Sequence, residues 1–263
     1  MAPSLEVDAL LLDIDGVLVT SWQALPGAVD AVAALRARGV PFRLLTNTTT
    51  HSRSGLAETL RHAGFDFEAD EIVTAVTATA AHLREAHPGA KVFVLTDGDP
   101  RPDLSGVELV DVEDADVVVL GGGCDEFSYD VMNRAFRRLE DGAAFVAMHR
   151  NLYWRTREGL QLDGGAFVAA LEAASGVSPV VCGKPAEAYF LAALGPLGVE
   201  PARAAMVGDD VVNDVGGAQA AGLAGVLVRT GKFRPADLDR GAPDAVVDSL
   251  ADVPSLMGLG AQT

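Results

Sequence analysis

The sequence predicts an α/β fold built on parallel β-sheets, because short apolar runs alternate along the chain with helical stretches. The run at residues 9–12 is continuously apolar and ends in an aspartate, which is typical of a strand buried on both faces. Residues 28–35 then repeat their apolar positions at helical spacing and are followed by Gly39. A length of 263 residues allows one large α/β domain or two smaller ones.

The alternation continues along the rest of the chain. A strand is predicted at residues 42–45 and a helix at residues 54–62. The further predicted strands are residues 91–96, 116–120, 144–148, 179–182, 204–207 and 225–228. The further predicted helices are residues 129–139, 167–174, 186–194 and 215–221, whereas residues 251–263 are weakly patterned. This order predicts parallel sheets with helices on their faces.

The composition of the chain argues against some classes of binding partner and favours one cellular compartment. A formal net charge of −17 argues against nucleic acid, which is bound by a surplus of lysine and arginine, and against anionic membrane surfaces. No run of 18 or more apolar residues is present to span a bilayer, and the first residues lack a signal-peptide pattern, so we predict a cytoplasmic protein. The two cysteines, Cys124 and Cys182, lack metal-site spacing and are predicted to be buried thiols.

Polar side chains that could bind a metal ion or a phosphate group follow four predicted strands. In open parallel sheets, ligands bind where the carboxyl ends of the strands meet their loops. A group of carboxylates at one such edge needs a cation, and Mg²⁺ prefers a few carboxylates, waters and a substrate phosphate. Lys184 and the Thr46 hydroxyl suit the remaining phosphate oxygens. The four segments are Asp13-Ile14-Asp15-Gly16, Thr46-Asn47, Gly183-Lys184-Pro185, and Gly208-Asp209-Asp210 with Asp214.

These four segments, in this order and spacing, resemble the four motifs of the haloacid dehalogenase superfamily. The likeness covers nearly the whole chain and includes Pro26-Gly27-Ala28 at the next helix. It points to the branch (type IIA) with a large α/β cap inserted between the second and third motifs. Residues 208–219 and 229–234 resemble the subgroup containing phospholysine phosphohistidine inorganic pyrophosphate phosphatase. The resemblance implies a doubly wound, Rossmann-like core at residues 1–78 and 180–263, with a cap at residues 79–179.

The resemblance also implies a role for each motif residue. Asp13 would attack phosphorus and become an aspartyl phosphate, and Asp15 would act as the general acid and then the general base. Mg²⁺ would be held by the Asp13 carboxylate, the Asp15 backbone carbonyl and Asp209. The phosphoryl group would be bound by Thr46, Asn47 and Lys184, and Asp214, beside Asp210, would orient Lys184 or a metal-bound water.

The predicted function is Mg²⁺-dependent hydrolysis of a small phosphorylated metabolite. A phosphoamide or pyrophosphate substrate, or a phosphate-binding module without hydrolysis, is the alternative. A dehalogenase would do without Asp15 and without metal, and a phosphomutase would carry a different cap. Receiver modules are about half this length, and the intact set of acids and Lys184 argues against a silent scaffold. Relatives often pair through their caps, so a homodimer is also expected.

Other segments have two interpretations each. Asn151, Tyr153, Trp154, Arg155 and Arg157 form either a substrate-facing cap loop or an exposed strand edge. Thr96-Asp97-Gly98-Asp99 also ends an apolar strand, but it lacks partner motifs and is predicted to be a turn in the cap. Gly121-Gly122-Gly123 has no later glycine that would complete a dinucleotide fingerprint.

Overall fold

A computed structural model describes residues 5–123, 125–156 and 159–259. Cys124 lies outside these residues, whereas Cys182 is a buried free thiol, as predicted. Among the described helices, none combines the length and the apolar character that crossing a lipid bilayer requires.

Strands and helices alternate along the described chain. The strands are β1 Ala9–Leu12, β2 Val19–Thr20, β3 Gln23–Ala24, β4 Phe42–Thr46, β5 Ile72–Thr74, β6 Lys91–Leu95, β7 Glu108–Leu109, β8 Val117–Leu120, β9 Ala144–Ala147, β10 Tyr153–Thr156, β11 Gly159–Leu162, β12 Val180–Val181, β13 Ala204–Gly208, β14 Ala224–Val228 and β15 Ala245–Val247. The helices are α1 Ala28–Ala37, α2 Arg53–His62, α3 Ala75–Ala86, α4 Tyr129–Glu140, α5 Gly164–Ser175, α6 Glu187–Leu194, α7 Gly217–Ala220 and α8 Val253–Leu256.

The chain divides into two compact units, and the first of them, the core unit, is discontinuous. It contains the described residues up to Thr46, Arg53–Val73 and the described residues from Lys184 onward. Its sheet has the strand order β15-β14-β13-β1-β4-β5, with parallel pairing from β15 through to β4. The chain therefore builds outward from β1 on one side and later from β13 on the other. The pair β1–β13 is thus the topological switch point, where ligands bind in such sheets.

The core sheet is held by burial on both of its faces. In β1, Leu10 and Leu12 belong to one apolar cluster together with Val32 and Leu35 of α1. The intervening Leu11 points to the opposite face and is also fully buried. A continuous apolar run is therefore required here, since a strand covered on both sides has no solvent-facing position.

The second unit, called the inserted unit, contains Asn47–Ser52 and Thr74–Gly183. Its parallel sheet has the order β12-β9-β8-β6-β7. Val118 and Leu120 of β8 pack in the apolar cluster that includes residues of α4 and α5, whereas Val117 and Val119 pack in the cluster that includes residues of α3. This unit therefore has its own core on both sides of its sheet. A separate antiparallel hairpin, β10–β11, follows β9 in the chain.

Several details of local structure and of the unit boundaries differ from the sequence predictions. The predicted helix at residues 215–221 was partly wrong, because a π-helical turn at Val211–Gly216 precedes the shorter α7. Asp210 caps that turn by accepting hydrogen bonds from two backbone N–H groups. The predicted boundary at residue 79 falls inside α3, which begins after the capping residue Thr74. The residues Asn47–Ser52 belong to the inserted unit and not, as predicted, to the core, and the elements β5, α3 and β15 were not predicted.

Candidate active site

The carboxyl ends of β1 and β13 bring together two aspartates that are far apart in sequence. Leu12 pairs with Val207 in the parallel register, and the Asp13 N–H donates to the Val207 carbonyl at 3.0 Å. Asp13 and Asp209 directly follow these neighbouring strands, and both residues are buried. The switch point of the core sheet therefore has two carboxylates at its edge.

Lys184 lies between two carboxylates of this edge. Its Nζ is 2.8 Å from Asp13 Oδ1 and 2.6 Å from Asp214 Oδ1, and all three residues are buried. Burial opposes the charged form of the lysine, but the charges of Asp13 and Asp214 outweigh it and raise the pKa of Lys184. The lysine is thus held as a cation beside the proposed nucleophile, where it can neutralise an incoming phosphoryl group.

The acidic group carries more negative charge than Lys184 neutralises. Single carboxylate oxygens of Asp13, Asp209 and Asp214 lie within 4.8 Å of one another. Burial raises the pKa of Asp209 well above its ordinary value and raises that of Asp214 to about 6, and the neighbouring Asp13 charge adds to both shifts. Two buried carboxylates are therefore difficult to ionise without a further cation.

Asp209 provides the sharpest test of whether a metal ion fits this site. Its Oδ2 accepts a hydrogen bond from the backbone N–H of Lys232 at 2.7 Å. Its Oδ1 is buried and has no hydrogen-bond partner among the residues that the structure describes. A buried carboxylate oxygen without a partner is costly, and hard oxygen donors in an acidic group are the ligands that Mg²⁺ prefers. The residues present therefore fit a divalent cation.

The loop after β13 fixes Asp214 as well as Asp209. The Asp210 N–H donates to Asp214 Oδ2 at 3.0 Å. Asp210 itself is occupied by the turn that it caps, because its carboxylate accepts from Val212 and Asn213. Burial opposes ionisation of Asp210, but the hydrogen bonds from Asn213 outweigh it and lower the pKa. Asp210 therefore organises the loop, while Asp214 contacts Lys184.

Asp15 differs from the other acids because its residue is exposed. Desolvation by surrounding protein atoms raises the pKa of its carboxyl group, and the positive charges of Lys232 and, to a smaller extent, Lys184 oppose this shift. The next residue, Gly16, has a φ of 87° and approaches Asp209 closely, since a Cβ there would lie 2.1 Å from Asp209 Oδ2. Only glycine allows the loop after β1 to approach Asp209 this closely.

The turn after β14 is part of the site, although the sequence analysis gave its residues no role. The Thr230 hydroxyl donates to the Gly16 carbonyl at 2.5 Å, and Lys232 contacts Asp209 through its backbone. The available signal was that residues 229–234 follow a buried strand of the same sheet. That position places the turn at the same edge as Asp13 and Asp209.

The second motif is divided between the two units. Thr46 ends β4, next to β1 in the sheet, and is buried. Tyr189 of α6 has its hydroxyl 2.7 Å from the Thr46 carbonyl and 2.9 Å from the Val73 carbonyl, so it fixes the backbone at this strand end. Asn47 belongs to the inserted unit.

The residues predicted to contact the leaving group also belong to the inserted unit. Tyr153, Trp154 and Arg155 lie on β10, and Asn151 precedes that strand. Tyr153 and Trp154 are exposed, with accessible fractions of 54% and 45%. The described part of the segment is a strand of a hairpin, and its contact with the leaving group stays a prediction. Arg157 lies outside the described residues.

Two family models and many curated proteins match the chain. A model described as haloacid dehalogenase-like hydrolase matches residues 10–109, and one described as HAD-hydrolase-like matches residues 181–253. Haloacid dehalogenase-like hydrolase domain-containing protein 2 from Bos taurus is 42% identical over 240 residues, which cover 91% of each protein. The phospholysine phosphohistidine inorganic pyrophosphate phosphatase of Homo sapiens is 36% identical over 259 residues, covering 95% of this chain and 94% of that protein.

Solved structures agree with these matches. A p-nitrophenyl phosphatase from Archaeoglobus fulgidus has a TM-score of 0.89 and 32% identity, covering 95% of this chain and 99% of its own. A glycerol phosphate phosphatase from Mycobacterium tuberculosis, solved in complex with magnesium, has a TM-score of 0.83 and 29% identity, covering 93% of this chain and 75% of its own. These likenesses confirm the predicted fold class, a doubly wound parallel-sheet core with an inserted α/β domain.

Proposed function

This chain belongs to the haloacid dehalogenase-like hydrolase family and is a phosphatase, and we propose that Mg²⁺ and a phosphorylated Asp13 carry out the hydrolysis. The observation that carries the proposal is the buried group of Asp13, Lys184, Asp209 and Asp214, with its partnerless Asp209 oxygen. A nucleophilic carboxylate, a fixed cation and a place for a metal ion are the components that phosphoryl transfer requires.

The metal would be held by the Asp13 and Asp209 carboxylates and the Asp15 backbone carbonyl. Asp214 suits a role outside this set, since one of its oxygens is already paired with Lys184 and the other accepts from the Asp210 N–H. When bound, Mg²⁺ supplies positive charge that neutralises the acids and the substrate phosphoryl oxygens. A neighbour solved in complex with magnesium supports this choice of ion.

The two aspartates of the first motif divide the chemistry between them. The Asp13 carboxylate would attack phosphorus and form an acyl phosphate (aspartyl phosphate), displacing the leaving-group oxygen. Asp15 would donate a proton to that oxygen and then remove one from the water that hydrolyses the acyl phosphate, which releases inorganic phosphate and restores the Asp13 carboxylate. Its raised pKa supports the acid role, since a larger fraction of the carboxyl groups then carries a proton near neutral pH.

The remaining polar residues of the motifs would bind the phosphoryl group. These residues are Lys184, the Thr46 hydroxyl and the Asn47 amide. We assign recognition of the leaving group to Asn151, Tyr153, Trp154, Arg155 and Arg157. The substrate is a small phosphorylated metabolite, with a phosphoamide or pyrophosphate as the alternative that the human relative's name favours.

Compartment and assembly are further parts of the proposal. The acidic composition and the free buried Cys182 support a cytoplasmic protein that does not bind nucleic acid or membranes. The β10–β11 hairpin exposes Leu160 and Leu162 as well as Tyr153 and Trp154, which supports a homodimer formed through the inserted unit. Sedimentation velocity measures this directly, and a single monomer species at all protein concentrations would contradict it.

Steady-state hydrolysis of p-nitrophenyl phosphate tests the function. We expect turnover with Mg²⁺, loss of activity in excess chelator, recovery on adding Mg²⁺, and poor support by Ca²⁺, which prefers more ligands and a looser geometry. Full activity in chelator would remove the metal from the mechanism. Stoichiometric phosphate binding without turnover would favour the phosphate-binding module instead.

A further inference from the structure

Two lysines act on the acidic group of the core unit in different ways. Lys184 is buried and forms ion pairs with Asp13 and Asp214. Lys232 is exposed, and its ammonium group forms no ion pair with a described carboxylate. Its charge nevertheless interacts with Asp209, Asp13, Asp214 and Asp210, which places it beside the same group. One cation is enclosed by the site and the other is presented at its surface.

The backbone at Lys232 is held firmly. Its N–H donates to Asp209 Oδ2 at 2.7 Å, the Thr230 hydroxyl donates to the Gly16 carbonyl, and the Phe233 N–H donates to the Thr230 carbonyl at 3.3 Å. The Phe233 ring packs against an apolar cluster of Val211, Val215 and Leu227. A side chain that projects from a fixed turn loses less freedom on binding a ligand than one on a flexible loop.

The turn also places Lys232 on the side of Asp15. Gly231 packs against Gly16, the residue that follows Asp15, and a Cβ on Gly16 would lie 3.0 Å from Gly231 Cα. The charge of Lys232 acts on the Asp15 carboxyl group more strongly than the charge of Lys184 does. Because Asp15 is the proposed proton donor to the leaving group, Lys232 lies on the leaving-group side of the site.

The choice of lysine at this position supports a specific role. Only three of the 20 basic residues of the sequence are lysines, and two of them, Lys184 and Lys232, act on this acidic group. Apart from Lys91, the chain uses arginine for the rest of its lysine-or-arginine charge, whereas it has a compact ammonium group here, which acts as a point charge.

We propose that Lys232 binds the leaving group and favours substrates in which that group is anionic, such as pyrophosphate or a carboxylate-bearing phosphate ester. This inference rests on the proposed phosphatase function. The proposed partners of the transferring phosphoryl group are Lys184, Thr46 and the metal ion. Lys232 is a further cation that acts on this acidic group, and its turn packs against Gly16, the residue after the proposed proton donor. Without Lys232, the negative charge of such a leaving group would be repelled by the surrounding acidic residues.

Two substrates that differ in the charge of the leaving group test the inference. In saturating Mg²⁺, we expect Lys232→Met to lower kcat/KM for pyrophosphate by about tenfold or more, mainly through KM, and that for phenyl phosphate by less than about threefold. Lys232→Arg should retain most of the pyrophosphate activity because it keeps the charge. Lys91→Met removes the same charge from the start of β6 in the inserted unit and should change neither substrate.

The outcomes separate this inference from the function on which it rests. Equal losses on both substrates in saturating Mg²⁺ would mean that Lys232 acts on the metal site or on the transferring phosphoryl group instead of the leaving group, and would overturn the inference. It also fails if the wild-type enzyme hydrolyses phenyl phosphate but is neither active on pyrophosphate nor inhibited by it. An enzyme that hydrolyses no phosphate compound with Mg²⁺ would instead overturn the proposed function.

Discussion

The two parallel sheets of this protein have the same topology at their centres but differ at their carboxyl edges. In the core unit the switch point lies between β1 and β13, and in the inserted unit it lies between β6 and β8. An aspartate stands at each, Asp13 after β1 and Asp97 shortly after β6. By topology alone, both edges are places where ligands bind.

At the edge of the inserted unit, the polar groups satisfy one another. The Thr49 hydroxyl donates to Asp97 Oδ1, and the Asp97 N–H donates to the Gly122 carbonyl at 3.0 Å. Asp163 caps α5 and accepts from the Gly123 N–H at 3.0 Å. In the described chain, no buried side-chain oxygen of this edge lacks a hydrogen-bond partner.

The core edge has the opposite character. Its carboxylates crowd together, the Asp209 Oδ1 has no partner in the described chain, and a buried lysine is fixed between Asp13 and Asp214. A hydrogen-bond network whose polar groups are all paired stabilises a fold, whereas a network with unpaired polar groups can bind a ligand or an ion. The switch point gives the location, and the unsatisfied groups distinguish a reactive edge from a structural one.

The largest expected effect separates the two aspartates in catalysis. Asp13→Asn should lower kcat at least about 10³-fold, because an amide cannot attack phosphorus and binds metal poorly. Asp97→Asn should keep kcat on phenyl phosphate within about threefold. Steady-state rates in Mg²⁺ measure both, with circular dichroism to verify folding. Similar losses in the two variants would remove the distinction between the edges.

The second effect concerns metal binding and pH. At pH 7, Mg²⁺ at about 100 times its Kd should stabilise the fold by about 2.7 kcal/mol, or raise Tm by roughly 5 to 10 °C. Burial raises the pKa of Asp209, a proposed metal ligand, well above its ordinary value, and metal binding requires the Asp209 carboxylate to be ionised. The stabilisation by Mg²⁺ should therefore be greatest at high pH and be lost as the pH falls and Asp209 takes up a proton.

Variants at the two edges serve as controls for that measurement. Thermal unfolding in chelator and in Mg²⁺ should show no metal-induced shift for Asp209→Asn, whereas Asp97→Asn should keep the full shift at pH 7. A shift that is unchanged in Asp209→Asn would mean that the ion binds elsewhere.

The smallest effect is a loss of stability at the inserted unit's edge. Thr49→Val keeps the shape of the side chain but removes its hydrogen bond to Asp97, so the free energy of unfolding should fall by about 1 to 2 kcal/mol. Thr49→Ser keeps the hydroxyl and should lose less. Urea denaturation measures both variants, and kcat on phenyl phosphate should not change. A large loss of kcat with normal stability would give this edge a role in catalysis.

Sequence patterns predicted the candidate site because its residues follow apolar runs directly. Asp13 and Asp209 could be assigned to strand ends from their own neighbours in sequence, and the match of four motifs supplied Lys184. The contact of Gly16 with Asp209 joins residues far apart in sequence, and no local pattern encodes it. No role was predicted for Lys232 for the same reason, since the acids that its charge acts on are distant from it in sequence.

The discontinuity of the core unit also has a consequence during synthesis. The inserted unit's sheet, from β6 to β12, is synthesised before β13. About 190 residues separate β1 from its partner β13 in the sequence. At a synthesis rate of roughly 5 to 20 residues per second, this separation corresponds to a delay of roughly 10 to 40 seconds. During that time the apolar residues Leu10, Leu11 and Leu12 of β1 lack their pairing strand β13. The edge that carries Asp13 and Asp209 is therefore among the last parts of the nascent protein to be completed.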